Sequence, residues 1–180
     1  MTFEVREVSN IMDEMEYPGI RFTMNAVMGK LVTPMKIDIS TGDVITPRAI
    51  EYKYKLLLDD RSISLWSYNL ETILAEKLQT VLARGLLNTR MRDFYDINTL
   101  LSIYEQDIDA DILKKAFDAT CKKRNTENLK EEAPKIIASV SDDVQLHTLW
   151  KSYQKKYPYA TDISYEDIVE STQLLWSKIQ

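Results

Sequence analysis

Leu70–Ile97 reads LETILAEKLQTVLARGLLNTRMRDFYDI, and its periodicity divides the chain into a strand-rich front and a helical back. At 100° per residue, Leu70, Ile73, Leu74, Leu78, Val81 and Leu82 gather on one face of a first helix. Asn69 suits the N-cap, Glu71 the first turn, and Gly85 the position just past the last turn. After the turn, Phe94, Ile97, Leu100, Leu101 and Tyr104 form the stripe of a second helix. Charges intrude on both stripes. Lys77 falls between Ile73 and Val81, Arg84 lies on the same edge two turns later, and Asp93 sits within the second stripe. A buried charge without a partner is costly, so Lys77 and Asp93 need partners. Spacing leaves two readings open. The pair either pins the two helices together or walls a cleft in which Lys77 and Arg84 meet phosphates. Arg90 and Arg92 beside the turn join Arg84 as a candidate anion site. Arg92 stands four residues before Asp96, which reads as ordinary helix support.

The preceding third alternates with period two. In IRFTMNAVM, Phe22, Met24, Ala26 and Met28 face one way, with Arg21, Thr23 and Asn25 opposite. In MKIDIS, Met35, Ile37 and Ile39 read as inward and Lys36, Asp38 and Ser40 as outward. GKLVTP joins these two strands, short enough for a hairpin. TFEVREV reads as a further strand, YPG at 17–19 as a turn, and SISLWSY as a weaker strand. Lys36 and Asp38 leave one face about 7 Å apart. Such a pair suits a divalent metal or a nucleotide phosphate, or is simply a solvated ion pair. TGD at 41–43 reads as a turn ending that strand.

Behind the opening stretch the helical period continues. DADILKKAFDATCKKR follows an Asp-rich start, and the next amphipathic stretch is expected to break at Pro134. DDVQLHTLWKSYQKKY carries Asp near its start and Lys near its end, matching the helix dipole. SYEDIVESTQLLWSKI opens with a Ser164–Asp167 variant of the capping box. DIDAD at 107–111 has calcium-loop letters without the required glycine and closing glutamate, so it reads as a helix start. His147 reads as structural, and Trp66, Trp150 and Trp176 as core. The expected architecture is α+β: a small antiparallel or mixed sheet over residues 1–66, then a helical bundle over 67–180.

Composition narrows the function classes. The 180 residues are 44% hydrophobic and 28% charged with a formal net charge of −5, which argues against a generally basic nucleic-acid-binding surface. One cysteine, Cys121, excludes an intrachain disulfide and a cysteine-based zinc site. With a single histidine, any metal would be held by carboxylates, which suits Mg²⁺ or Mn²⁺. No stretch nears the roughly 20 apolar residues of a membrane span, and the N-terminus has no signal-peptide core. A cytoplasmic protein is expected.

Four stretches together resemble the AbiEii/AbiGii abortive-infection toxin family of nucleotidyltransferase-like proteins. They are YPGIRF, MKIDISTGD, LETILAEKLQTVLARGLLNTRMRDFYDI and FDATCKKRNT, spanning about residues 15–125. The resemblance implies a DNA polymerase β-like core followed by a helical domain. It implies that Asp38 is the third metal carboxylate and that Lys77 and Asp93 belong to motifs associated with nucleotide binding and activity. Arg84 and Asp96 accompany them, and Lys36 and Arg90 join as candidate nucleotide contacts. It further implies a nucleoside triphosphate, GTP among the candidates, with Mg²⁺, and tRNA ends as acceptor in related proteins. A separately encoded antitoxin is the implied partner, in phage defence or plasmid maintenance.

One departure is plain. No Gly-Ser pair occurs in the chain, and no Asp-x-Asp precedes Asp38. On that ground the chain resembles the C-terminal portion of a family member, inactive alone, with Mg²⁺ expected only alongside the missing N-terminal carboxylates. A split gene would make the N-terminal half a partner. An incomplete sheet would leave an unpaired edge near FEVREV or IRFTMNAVM, inviting a homodimer. Two other readings stand beside this one: a non-catalytic module binding nucleotide or antitoxin, and a structural helical domain.

Overall fold

The computed structural model describes residues 1–11, 19–40 and 42–180. These contain five strands in two antiparallel sheets followed by six α-helices, the expected α+β class. They divide into two compact units, Met1–Asp43 and Val44–Gln180. Strands give way to helices between Ser67 and Leu70, whereas the compact units part at Asp43, so the second hairpin belongs with the helices.

The first unit is one sheet in the order β1 (Thr2–Ile11), β2 (Gly19–Met28), β3 (Leu31–Ile39). Directly opposed residues share a face. Phe22 therefore lies with Val8 and Ile37, and Met24 with Val5 and Met35. A bulge between Val5 and Glu7 returns Val8 to the face of Phe3 and Val5, which simple alternation would deny it. Met28 pairs with Leu31, so the hairpin turn is only Gly29-Lys30, and GKLVTP is mostly strand. Gly29 sits at φ +60°, as a two-residue hairpin turn requires. Two expectations change here. Met35, Ile37 and Ile39 share the apolar face but stay 37%, 42% and 49% exposed, so they are not core. The TFEVREV strand is an edge, whereas IRFTMNAVM is the paired centre and the edge beside it is β3. The turn expected at YPG, and Thr41 of TGD, fall outside the described residues.

The second unit opens with a hairpin of β4 (Ile50–Lys55) and β5 (Ser62–Ser67). SISLWSY marks β5, while IEYKYK was not foreseen as its partner. Trp66 stands opposite Glu51 and is 78% exposed, so it is not a core tryptophan. The helices are α1 (Leu70–Arg84), α2 (Met91–Tyr104), α3 (Ala110–Lys123), α4 (Leu129–Ser141), α5 (Val144–Lys156) and α6 (Tyr165–Ser177). Their starts follow the expected caps. The side chains of Asn69, Asp109 and Asp143 accept from Thr72, Ile112 and Leu146, and Ser164 and Asp167 form a complete capping box. Asp109 thus begins a helix, as DIDAD suggested. The Ser164 hydroxyl and backbone hold Asp167 below the usual carboxylate range. Pro134 does not break α4. It is exposed in the second turn, and the carbonyl it deprives of a bond belongs to Lys130, itself an exposed residue.

Helix α1 packs against α2, α3, α4 and α6. Leu74, Leu78, Val81 and Leu82 meet Phe94 and Ile97 of α2, Leu113 and Phe117 of α3, and Ile168 and Leu175 of α6 in one core. Trp150 is fully buried, its indole N–H donating to the Ile163 carbonyl at 3.0 Å, and Trp176 meets Phe117 edge-on. Tyr104, placed on the α2 stripe, is instead 44% exposed. The buried start of α1 is sutured to the loop before it. Asn69 donates to the Thr46 carbonyl at 2.6 Å, and the Thr72 hydroxyl accepts from the Thr46 amide at 3.1 Å.

Candidate functional site

Gly85 ends α1 at φ +48°, returning its N–H to the Val81 carbonyl. A single 3-10 turn follows at Gly85–Leu87. The fully buried Asn88 then accepts the Arg90 amide at 2.9 Å, fixing the entry into α2. This short connection lays the first turn of α2 against the middle of α1. Asp93 occupies that first turn, where the helix dipole favours a carboxylate.

Lys77 bridges the two helices. Its Nζ is 3.3 Å from Asp93 Oδ1 and 2.5 Å from Asp96 Oδ2. Lys77 and Asp93, the charges within the apolar stripes, are therefore paired. Asp96 is the surprise, because Arg92, its expected helical partner, is 3.8 Å away and the lysine is much nearer. Arg90 Nε approaches Asp93 Oδ2 at 3.2 Å, but off the line of a hydrogen bond, and that buried oxygen has no hydrogen-bond donor. The Asp93 side chain is only 7% exposed, whereas those of Arg90 and Arg92 are 57% and 78% exposed.

This group floors a cleft of about 600 Å³ whose far wall comes from α5. Four cations line it (Lys77, Arg90, Arg92 and Lys156) against two carboxylates, Asp93 and Asp96. Tyr153 and Tyr157 add aromatic surface. Tyr153 stacks on Trp150 at 5.4 Å and bonds the Tyr159 hydroxyl at 3.0 Å. Burial first, and that bond second, push its phenol well above the usual range, so it stays protonated. A net-cationic cleft on an acidic chain suits a phosphate-bearing ligand. Lys156, Tyr153 and Tyr157 were missed in the sequence, where SYQKKY offered only a dipole-matched helix end.

The remaining site residues stand elsewhere. Arg84 is exposed in the last turn of α1 and does not line the cleft. Lys36 and Asp38 belong to the first unit, on β3. Asp38 is held bidentately by Arg21 on β2, at 2.7 Å to each oxygen. Those hydrogen bonds, with smaller help from the charges of Arg21 and Lys36, hold its carboxyl below the usual range. Among the described residues no three Asp, Glu, His or Cys side chains converge. A single carboxylate capped by a guanidinium does not fit a divalent metal, and an ammonium already lies between Asp93 and Asp96. The described residues do not by themselves make a Mg²⁺ site.

These features define an α+β protein whose helical part carries a cationic cleft with a paired lysine and two aspartates in its floor. The family model for the nucleotidyl transferase AbiEii toxin of a type IV toxin–antitoxin system matches residues 2–171, and the chain belongs to that family. The match takes in β1 and the first half of α6, beyond the span over which the quoted motifs run. Membership in a toxin–antitoxin family implies an antitoxin partner. Searches of curated proteins and of solved structures returned no match. None of the described helices is long and apolar enough to cross a membrane.

Proposed function

We propose that this chain serves a cytoplasmic abortive-infection toxin as the lysine–aspartate side of a nucleotidyl-transfer site. The toxin would move a nucleotide from a nucleoside triphosphate, such as GTP, to an acceptor such as tRNA. Membership in the AbiEii family supports the reaction class. The observation that carries the site is Lys77, held between Asp93 and Asp96 in the floor of a cleft with Arg90, Arg92 and Lys156. In this reading the exposed arginines and Lys156 take the phosphates, and the two aspartates hold the Lys77 ammonium in place beneath them. No Gly-Ser pair occurs in these 180 residues and no Asp-x-Asp precedes Asp38, so in this reading the metal-binding carboxylates are supplied by another polypeptide segment.

A second reading has its own support. An ammonium shared by two aspartates across α1 and α2 is also what a structural pin looks like. A reconstitution separates the two. The chain is mixed with a polypeptide bearing the family's Gly-Ser and Asp-x-Asp segment, together with labelled GTP, Mg²⁺ and total tRNA. Label should reach RNA only when both polypeptides are present. Transfer by this chain alone, or no transfer with either nucleotide or acceptor varied, contradicts the proposal.

A further inference from the structure

The three-stranded sheet of the first unit has two unlike faces. On one, Val8, Phe22 and Ile37 form a cross-strand row and Val5, Met24 and Met35 the next. Phe3 and Leu31 extend that face at one end, and Ile20 and Ile39 at the other. The opposite face carries Glu4, Glu7, Lys36 and the Arg21–Asp38 pair. A sheet with one apolar side needs a second layer to make a core. Here that side is open: Phe3, Val5, Val8 and Leu31 are each more than half exposed.

Size separates an interface from ordinary surface. Strands about 4.8 Å apart and about 30 Å long give a three-stranded face roughly 700 Å² of accessible surface once side-chain relief is counted. The largest apolar patch on a typical monomer is about 300–600 Å². Two such faces pressed together bury about 1,400 Å², inside the range of about 1,200–2,000 Å² for stable interfaces.

The occupant this face fits is its own copy. Among the described residues no charged side chain stands on it, so it offers no charge by which a partner of different sequence would be selected. A two-fold contact brings the same patch against itself, with the central strand β2 of each copy nearest the axis. The unbranched side chains of Met24 and Met35 let the two surfaces adjust to each other. We propose that the apolar face of β1, β2 and β3 packs on the same face of a second copy, closing a two-fold, six-stranded sandwich with its layers about 10 Å apart. The contact is face to face, unlike the edge pairing expected from the sequence. It goes beyond the nucleotidyl-transfer reading and uses no residue of the cleft.

Sedimentation equilibrium of the intact chain tests the proposal. Between about 1 and 100 μM the chain should sediment at twice its own mass. Val8→Lys with Ile37→Lys places two charges in one row of the face and should weaken the dimer at least about a hundredfold. Glu4→Lys, on the opposite face, should leave it intact. A sheet stripped of its cover can lose its fold, so a second measurement avoids charges. Met24→Cys, at the middle of β2, should be joined to its own copy by a short bis-maleimide, whereas Thr23→Cys, on the opposite face, should not. Cys121 is fully buried and stays out of that reaction. A monomer at every concentration overturns the proposal, as does a dimer that survives the paired lysines. Loss of the dimer on Leu57→Ser with Leu58→Ser would move the interface to the exposed tip of the β4–β5 hairpin and overturn it too. Dissociation by a polypeptide bearing the Gly-Ser and Asp-x-Asp segment would give the face to that polypeptide, again against a second copy. Each of these failures leaves the cleft reading untouched.

Discussion

Replacing Lys77 with methionine is expected to lower the unfolding free energy of the second unit by about 3 kcal/mol. The substitution keeps the aliphatic stem and removes the charge between Asp93 and Asp96. Asp93 is then left as a carboxylate with a 7% exposed side chain and only an off-line arginine near it. Asp96, at 23% exposure, turns partly to water and is penalised less. The loss should therefore sit at the lower end of the range for broken buried pairs. Neutralising the aspartate in the same background, Lys77→Met with Asp93→Asn, should recover most of the stability, because the cost is the unpaired charge and not lost packing. Arg92→Met is the control: at 3.8 Å and 78% exposed, it should change stability by less than about 0.5 kcal/mol. Urea denaturation followed by helical ellipticity measures all three, since urea, unlike guanidinium, leaves ion pairs unscreened. A Lys77→Met protein as stable as wild type would mean that the lysine is not holding the helices.

Phe117→Ala is expected to cost about 4 kcal/mol. Phe117 is fully buried on α3, the neighbour of α1, and meets Trp176 of α6 edge-on with ring centres 5.8 Å apart. Truncation opens a cavity at a junction of three helices, none of which can move inward without disturbing the others. Thermal unfolding should show the loss in the helical signal. The separate sheet of residues 1–43 gives little helical ellipticity and should leave that transition undisturbed. A loss below about 1 kcal/mol would mean that the three helices do not share a core there.

The parts of this fold that were legible in the sequence are those set by local chemistry. Asn69, Asp109, Asp143 and Ser164 announced helix starts because each side chain bonds an amide three residues away. Gly85 announced a stop because few other residues tolerate its backbone angle. Where long-range packing decides, the signals misled. Pro134 suggested a break, yet α4 runs through it, with the residue exposed near the start of the helix. Trp66 was placed in the core by its size, but its position opposite Glu51 puts it on the outward face of a ribbon. The Arg6 region hid a bulge, so Val5 and Val8 looked out of phase although they share a face. IEYKYK alternates tyrosines with charges and lacks the aliphatic run that marked other strands.

The candidate site divides along the same line. Lys77 and Asp93 stood out because charges on apolar stripes must find partners, and each did find the other. Periodicity could not say that Asp96 rather than Asp93 would be nearest the lysine, since that depends on how α2 rotates against α1. Nothing in the chain order brings α5 to α2, so the tyrosines and Lys156 came only with the tertiary structure.

The most direct test of the central claim is a calorimetric titration of GTP and Mg²⁺ into the wild-type chain, Lys77→Met and Arg90→Gln. Arg90→Gln removes a cleft cation whose side chain is 57% exposed, so its fold should be intact even if Lys77→Met is weakened. Saturable binding by wild type, reduced about tenfold or more in both variants, is the predicted result. No binding by wild type, or equal binding by wild type and Arg90→Gln, would contradict a phosphate site at the Lys77 cleft and leave the lysine as a structural pin.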